Sequence, residues 1–90
     1  MYMNRFTRCR DVFVTEYGHD LLAGFRRFYD GGRLELITCA ATHGFLPLLR
    51  NTEAAVRAQV EIGAREFDRH FGRRPQGIWL PECGYVEGLD

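Results

Sequence analysis

Two residues of this sequence sit where chemistry gathers in parallel α/β proteins. In "GIWLPECGY", Gly77–Tyr85, a short apolar run ends in a proline and Glu82 follows at once. In "LELITCAATHG", Leu34–Gly44, a second run is followed by His43. If both runs are strands, the carboxylate and the imidazole leave neighbouring C-terminal ends, the rim on which such folds carry functional groups. Pro81 and Gly84 bracket Glu82 in a stiff turn that fixes the direction of its side chain. Glu35 is a third candidate, because a carboxylate inside a strand is rarely buried without a partner. Trp79, Tyr85 and Phe45 are aromatic faces of the sort that sugar rings stack on. Each has a plainer use. A glutamate after a strand also caps helices or meets water, a loop histidine is often structural, and Glu35 pairs with an arginine as readily as it binds a ligand.

The elements that must hold these residues can be read from periodicity. Val14, Tyr17, Leu21, Phe25 and Phe28 recur at helical spacing, which predicts a helix that the glycines of "DGG", Asp30–Gly32, bring to an end. Gly18 and Gly24 weaken that helix. Leu34–Ala40 is rich in strand-forming residues and follows a glycine turn. "ATHGFLPLL" is an irregular connection. Asn51 or Thr52 caps a second helix, whose apolar stripe is Val56, Val60, Phe67 and Phe71, and Gly72 and Pro75 end it. Gly77–Leu80 is a second strand. Strand, helix, strand is a βαβ unit, so the two strands are expected to be parallel. A parallel sheet is buried on both faces and needs more than two strands. One βαβ unit preceded by a helix therefore points to a piece of a larger α/β protein, or to a chain that finds its remaining strands elsewhere.

Composition narrows the chemistry. The chain has 90 residues, one small domain at most, with 12 basic and 12 acidic side chains and a formal charge of zero. That balance argues against nucleic acid as a partner. The basic residues are all arginine, and serine is absent, which excludes a serine nucleophile. Cys9, Cys39 and Cys83 are odd in number and widely spaced, so neither a disulfide framework nor a zinc clip is expected. Cys83 lies beside a strand-end carboxylate, yet no His or Cys stands at a ligand spacing from it. Cys39 and Cys83 read as small buried hydrophobes, and His19 and His70 as solvated helical positions. No metal is expected. The N-terminus lacks an apolar signal segment and no run approaches the length of a membrane span. A cytoplasmic, reducing setting is the default.

"GRLELITCAATHGFLP" and "GIWLPECGY" together resemble two signature stretches of glycoside hydrolase family 57, and most closely those of its α-1,4-glucan branching enzymes. The intervening "NTEAAVRAQVEIGAREFDRHFGRRPQ" and the helix before Gly32 are similar as well, so the resemblance covers essentially the whole chain. It implies a distorted (β/α)7 barrel acting on α-glucans with retention of configuration and without metal or organic cofactor. It implies that Glu82, in the WLPE-type stretch, is the nucleophile, and that Glu35 and His43 line the donor-sugar pocket. Trp79 falls on an aromatic position ahead of the nucleophile. The family's first motif and its later motif, which supplies the aspartate acid/base, have no counterpart here. Asp90 is the last residue and the other aspartates lie in or beside helices. The resemblance thus implies that residues 1–90 are a partial catalytic barrel domain, inactive alone. A 4-α-glucanotransferase, an α-amylase or a non-catalytic glucan-binding or interaction relic are the alternatives.

Overall fold

The computed structural model describes all 90 residues, which divide into two compact units, Met1–Glu35 and Leu36–Asp90. The first unit is helical. Helix α1, Tyr2–Asp11, widens into a π-turn over Val12–Glu16, where Tyr17 N–H reaches back to the Val12 carbonyl at 3.2 Å and the Thr15 hydroxyl donates to the Asp11 carbonyl at 2.5 Å. The chain then reverses and enters α2, Leu21–Asp30. The single helix expected across Val14–Phe28 is therefore interrupted. Gly18 and His19 take left-handed backbone angles (φ 54° and 68°), which no helix continues through. Asp20 restarts the helix by accepting the Ala23 N–H at 3.0 Å on its carboxylate. His19 lies in this turn and not on a helix, its ring edge-on to Phe13 with centroids 5.3 Å apart. Helix α2 ends at "DGG" as the sequence predicts, with Gly32 in the left-handed region.

The second unit is built around two strands. Strand β1, Thr38–Cys39, pairs in parallel with β2, Ile78–Trp79, in the register Thr38 to Ile78 and Cys39 to Trp79. Both are shorter than the apolar runs that contain them. A strand extends only as far as its ladder, and β1 has β2 as its one neighbour, so Leu34–Ile37 remain outside the sheet. The connection after β1 is not wholly irregular: Leu46–Leu49 form a short helix, α3, started by Pro47 in its first turn. Helix α4, Glu53–Phe71, is the crossover, and Gly72 caps it in the left-handed conformation (φ 72°).

Helix α4 packs on β1 through its own backbone. A β-carbon at Gly63 would fall inside the carbonyl oxygen of Cys39, so only glycine permits this approach. The Thr38 hydroxyl donates to the Gly63 carbonyl at 3.1 Å across the same contact. Leu46, Ala40, Phe67 and Pro81 are buried around it, and the Phe67 and Phe71 rings meet at 4.7 Å. The stripe foreseen for α4 is only partly covered, since Val60 stays exposed and Val56 half-buried. The outer face carries ion pairs at helical spacing, Arg57 to Glu53 and Arg65 to Glu61, each at 2.8 Å. No helix is long and apolar enough to cross a membrane.

Candidate active site

Two loops leave the C-terminal ends of the parallel strands and converge. After β1 the chain turns through Ala41 and Thr42 to His43. The turn is closed by His43 N–H on the Ala40 carbonyl at 2.9 Å, and His43 itself is left-handed (φ 56°). Helix α4 clamps the turn from outside. The Gln59 carbonyl accepts the Ala41 N–H at 3.0 Å, and its amide oxygen accepts the Thr42 N–H at 3.0 Å. The Gln59 amide nitrogen donates to the Thr42 hydroxyl at 2.9 Å.

After β2, Pro81–Cys83 form one 3₁₀ turn, closed by Cys83 N–H on the Leu80 carbonyl at 2.9 Å. Pro81 and Gly84 are both buried and flank the turn. Glu82 and Cys83 both adopt φ 54°, so the carboxylate is directed by a backbone that side chains seldom accept. The Phe45 ring occupies the space where Gly84 would carry a β-carbon, and this holds the second turn against the loop that carries His43.

The result is a short polar row. His43 Nε2 lies 3.3 Å from Glu82 Oε1, and His43 Nδ1 lies 3.2 Å from Cys39 Sγ. The pair faces water, with 58% of the His43 side chain and 76% of that of Glu82 exposed. In water an exposed contact of this kind adds little stability, so its value is directional. An ionised carboxylate can only accept, so the contact requires a hydrogen on Nε2. The three groups cannot converge on one metal ion, because the imidazole stands between the thiol and the carboxylate.

Of the residues singled out by sequence, the structure brings His43 and Glu82 into contact. Trp79 stands on β2 with 53% of its surface exposed, three residues before Glu82. Glu35 belongs to the first unit, lies outside β1 and is exposed, so the expectation of a carboxylate enclosed in a strand is corrected. The ladder with β2 begins only at Thr38, so this stretch has no sheet to belong to. Cys83 is exposed and Cys39 half-buried with its thiol on the imidazole, so neither is a simple buried hydrophobe. Gln59 and Gly63 carry no signal in the sequence; both act through a crossover helix folding back on β1. Tyr85 donates its hydroxyl to Asp90 at 2.8 Å, which raises the phenol and lowers the carboxyl from their ordinary values.

The family model for glycosyl hydrolase family 57 matches residues 3–90. A 1,4-alpha-glucan branching enzyme of Thermococcus kodakarensis is 46% identical over 83 residues, which are 92% of this chain and 12% of that enzyme. Its crystal structure, in complex with glucose, superposes with a TM-score of 0.79 over 91% of this chain and 15% of its own, at 43% identity. The alpha-amylase AmyC of Thermotoga maritima superposes with a TM-score of 0.85 at 41% identity, over 98% of this chain and 17% of its own. The chain therefore spans less than a fifth of these relatives. With a match along nearly its whole length, it belongs to glycosyl hydrolase family 57.

Proposed function

We propose that residues 1–90 are part of the catalytic barrel of a retaining α-1,4-glucan branching enzyme, with Glu82 as its nucleophile. The observation that carries this reading is the contact of Glu82 Oε1 with His43 Nε2 at 3.3 Å, beyond the C-terminal ends of two parallel strands. Exposed Ile37, Ile78 and Trp79 around a two-stranded parallel sheet support it, because such a sheet is ordinarily covered on both faces and continued at its edges. The likeness to branching enzymes supplies the reaction.

Glu82, ionised, attacks the anomeric carbon of an α-1,4-linked glucan and forms a glycosyl-enzyme as the glycosidic C–O bond breaks. The departing oxygen takes a proton from a second carboxyl group. That group then removes the proton of an acceptor 6-hydroxyl, whose oxygen attacks the same carbon and releases Glu82. Retention requires the two carboxyls to stand roughly 5–5.5 Å apart. The second is an aspartate from outside these 90 residues. The His43 Nε2–H orients Glu82, and Trp79 offers a face to a sugar ring. Glu35 is assigned to the donor sugar on the family resemblance. No metal or organic cofactor takes part, and the setting is the cytoplasm.

The test is a chimera in which this segment replaces its counterpart in the Thermococcus enzyme. The expected product is glucan with new α-1,6 linkages, and Glu82→Gln in the chimera abolishes it. A folded chimera without transfer, or transfer that survives Glu82→Gln, overturns the reading. The 90-residue chain alone is expected to give no iodine-stain change or new branch points. The likeness to AmyC favours a second reading, α-amylase. It would yield new reducing ends in place of branches, and a 4-α-glucanotransferase would only redistribute α-1,4 chain lengths.

A further inference from the structure

We propose that Cys39 is a positioning residue for this site: its thiol hydrogen-bonds Nδ1 of His43 and thereby selects the imidazole tautomer whose Nε2–H faces Glu82. The inference rests on the reading of Glu82 and His43 as site residues, and its observation is the contact of Cys39 Sγ with Nδ1 at 3.2 Å.

The argument is one of hydrogen count. Glu82 Oε1 lies 3.3 Å from Nε2, and a carboxylate has no hydrogen to give. The hydrogen in that contact belongs to Nε2. A neutral imidazole carries one N–H, so Nδ1 is then a bare acceptor. Around an exposed ring, water satisfies either nitrogen and locks neither tautomer. A fixed donor at Nδ1 does, and the thiol S–H is such a donor. The row then reads, donor to acceptor, thiol to Nδ1 and Nε2–H to carboxylate.

The thiol is well placed to impose an order because its own position is set from three sides. Cys39 pairs with Trp79 in the ladder. Its carbonyl lies against Gly63, and the hydroxyl of the preceding Thr38 is tied to the Gly63 carbonyl. His43 returns to it through a turn held by Gln59. The imidazole is thus anchored at one nitrogen to the end of β1 and presents the other to the carboxylate at the rim.

Long-range proton–nitrogen correlation spectra of the 15N-labelled 90-residue chain read the tautomer directly. They are recorded at about pH 7.5, above the usual imidazole value and below the usual thiol one, so that the thiol keeps its hydrogen, with the resonances assigned through a His43→Gln variant. In the wild type, Nε2–H is the major form. Cys39→Ser keeps a donor and keeps that ratio. Cys39→Ala and Cys39→Val remove it, and the Nδ1–H form rises about threefold or more, the scale set by one ordinary hydrogen bond. Val suits a strand, so one apolar variant retains the fold if the other does not, and unchanged amide spectra establish this. Equal tautomer ratios in wild type and in a folded apolar variant overturn the proposal, as does a wild type with its hydrogen on Nδ1. The measurement needs no glucan, so failure of the branching assay would remove the functional reading and leave this result intact.

Discussion

His43 and Glu82 are 39 residues apart in sequence and meet at 3.3 Å, imidazole nitrogen to carboxylate oxygen. A single parallel crossover produces that meeting: strand, helix and strand return the chain to the same edge, and each strand hands one polar residue to the loop beyond it.

The weight of the site falls on Glu82. In the chimera with the Thermococcus enzyme, Glu82→Gln lowers transfer by several orders of magnitude, because a nucleophile has no substitute in a covalent mechanism. Circular dichroism stays unchanged, as the side chain is exposed and carries no packing.

His43 acts on the carboxylate and not on the bond being broken, so its loss is milder. His43→Ala in the same chimera reduces kcat by about 10²-fold, the scale of removing one donor from a charged reacting group. Steady-state kinetics with amylose decide it. An unchanged kcat would show that the contact is idle.

Gly63→Ala tests the seat of α4 on β1. The added methyl meets the Cys39 carbonyl, which is backbone and cannot swing away. Urea unfolding of the 90-residue chain is expected to show a loss of about 1–3 kcal/mol, the range for overpacking a tight contact.

Gln59→Leu keeps the bulk of the side chain and removes its hydrogen bonds to Thr42. Amide exchange at Thr42 is expected to quicken, while exchange within the β1–β2 ladder holds. Protection at Thr42 equal to the wild type would mean that the turn stands without its clamp.

The end of α4 provides a pH marker. Arg69, and after it His70, hold the Glu66 carboxyl at about 2, well under the ordinary value of 4.5. A carboxyl lowered in the folded state stabilises that state fully above its unfolded value and loses the contribution as pH falls through the folded one. The small contribution of this exposed cluster to the last turn of α4 should therefore begin to fade below about pH 4.5, be about half lost near pH 2 and vanish only below it. Carboxyl NMR follows it, and Arg69→Ala should move the Glu66 midpoint upward.

The sequence makes plain the type and order of the elements around the site. Two apolar runs separated by an amphipathic helix require a parallel pair, and residues just beyond such runs share a rim. "PECG" carries its turn in the side chains themselves, and Gly72 announces the end of α4. What the sequence does not carry is contact made in three dimensions. The length of β1 depends on how far β2 accompanies it, which excludes Glu35 from the sheet. The break at Gly18–Asp20 is hidden under a continuous apolar periodicity, because Tyr17 and Leu21 keep helical spacing across it. Gln59 reads as one more polar residue on a wet helix until α4 is folded back onto the β1 turn.

Three of the four non-glycine residues with left-handed backbone angles are His43, Glu82 and Cys83. Such angles each tax the native state by something on the order of 1–3 kcal/mol. A small unit with few buried side chains has little surplus from which to sustain them. Engineering for heat tolerance would be drawn to relax these positions first, Cys83→Gly above all. The sturdier protein that resulted would have a carboxylate free to wander, its aim surrendered for its endurance.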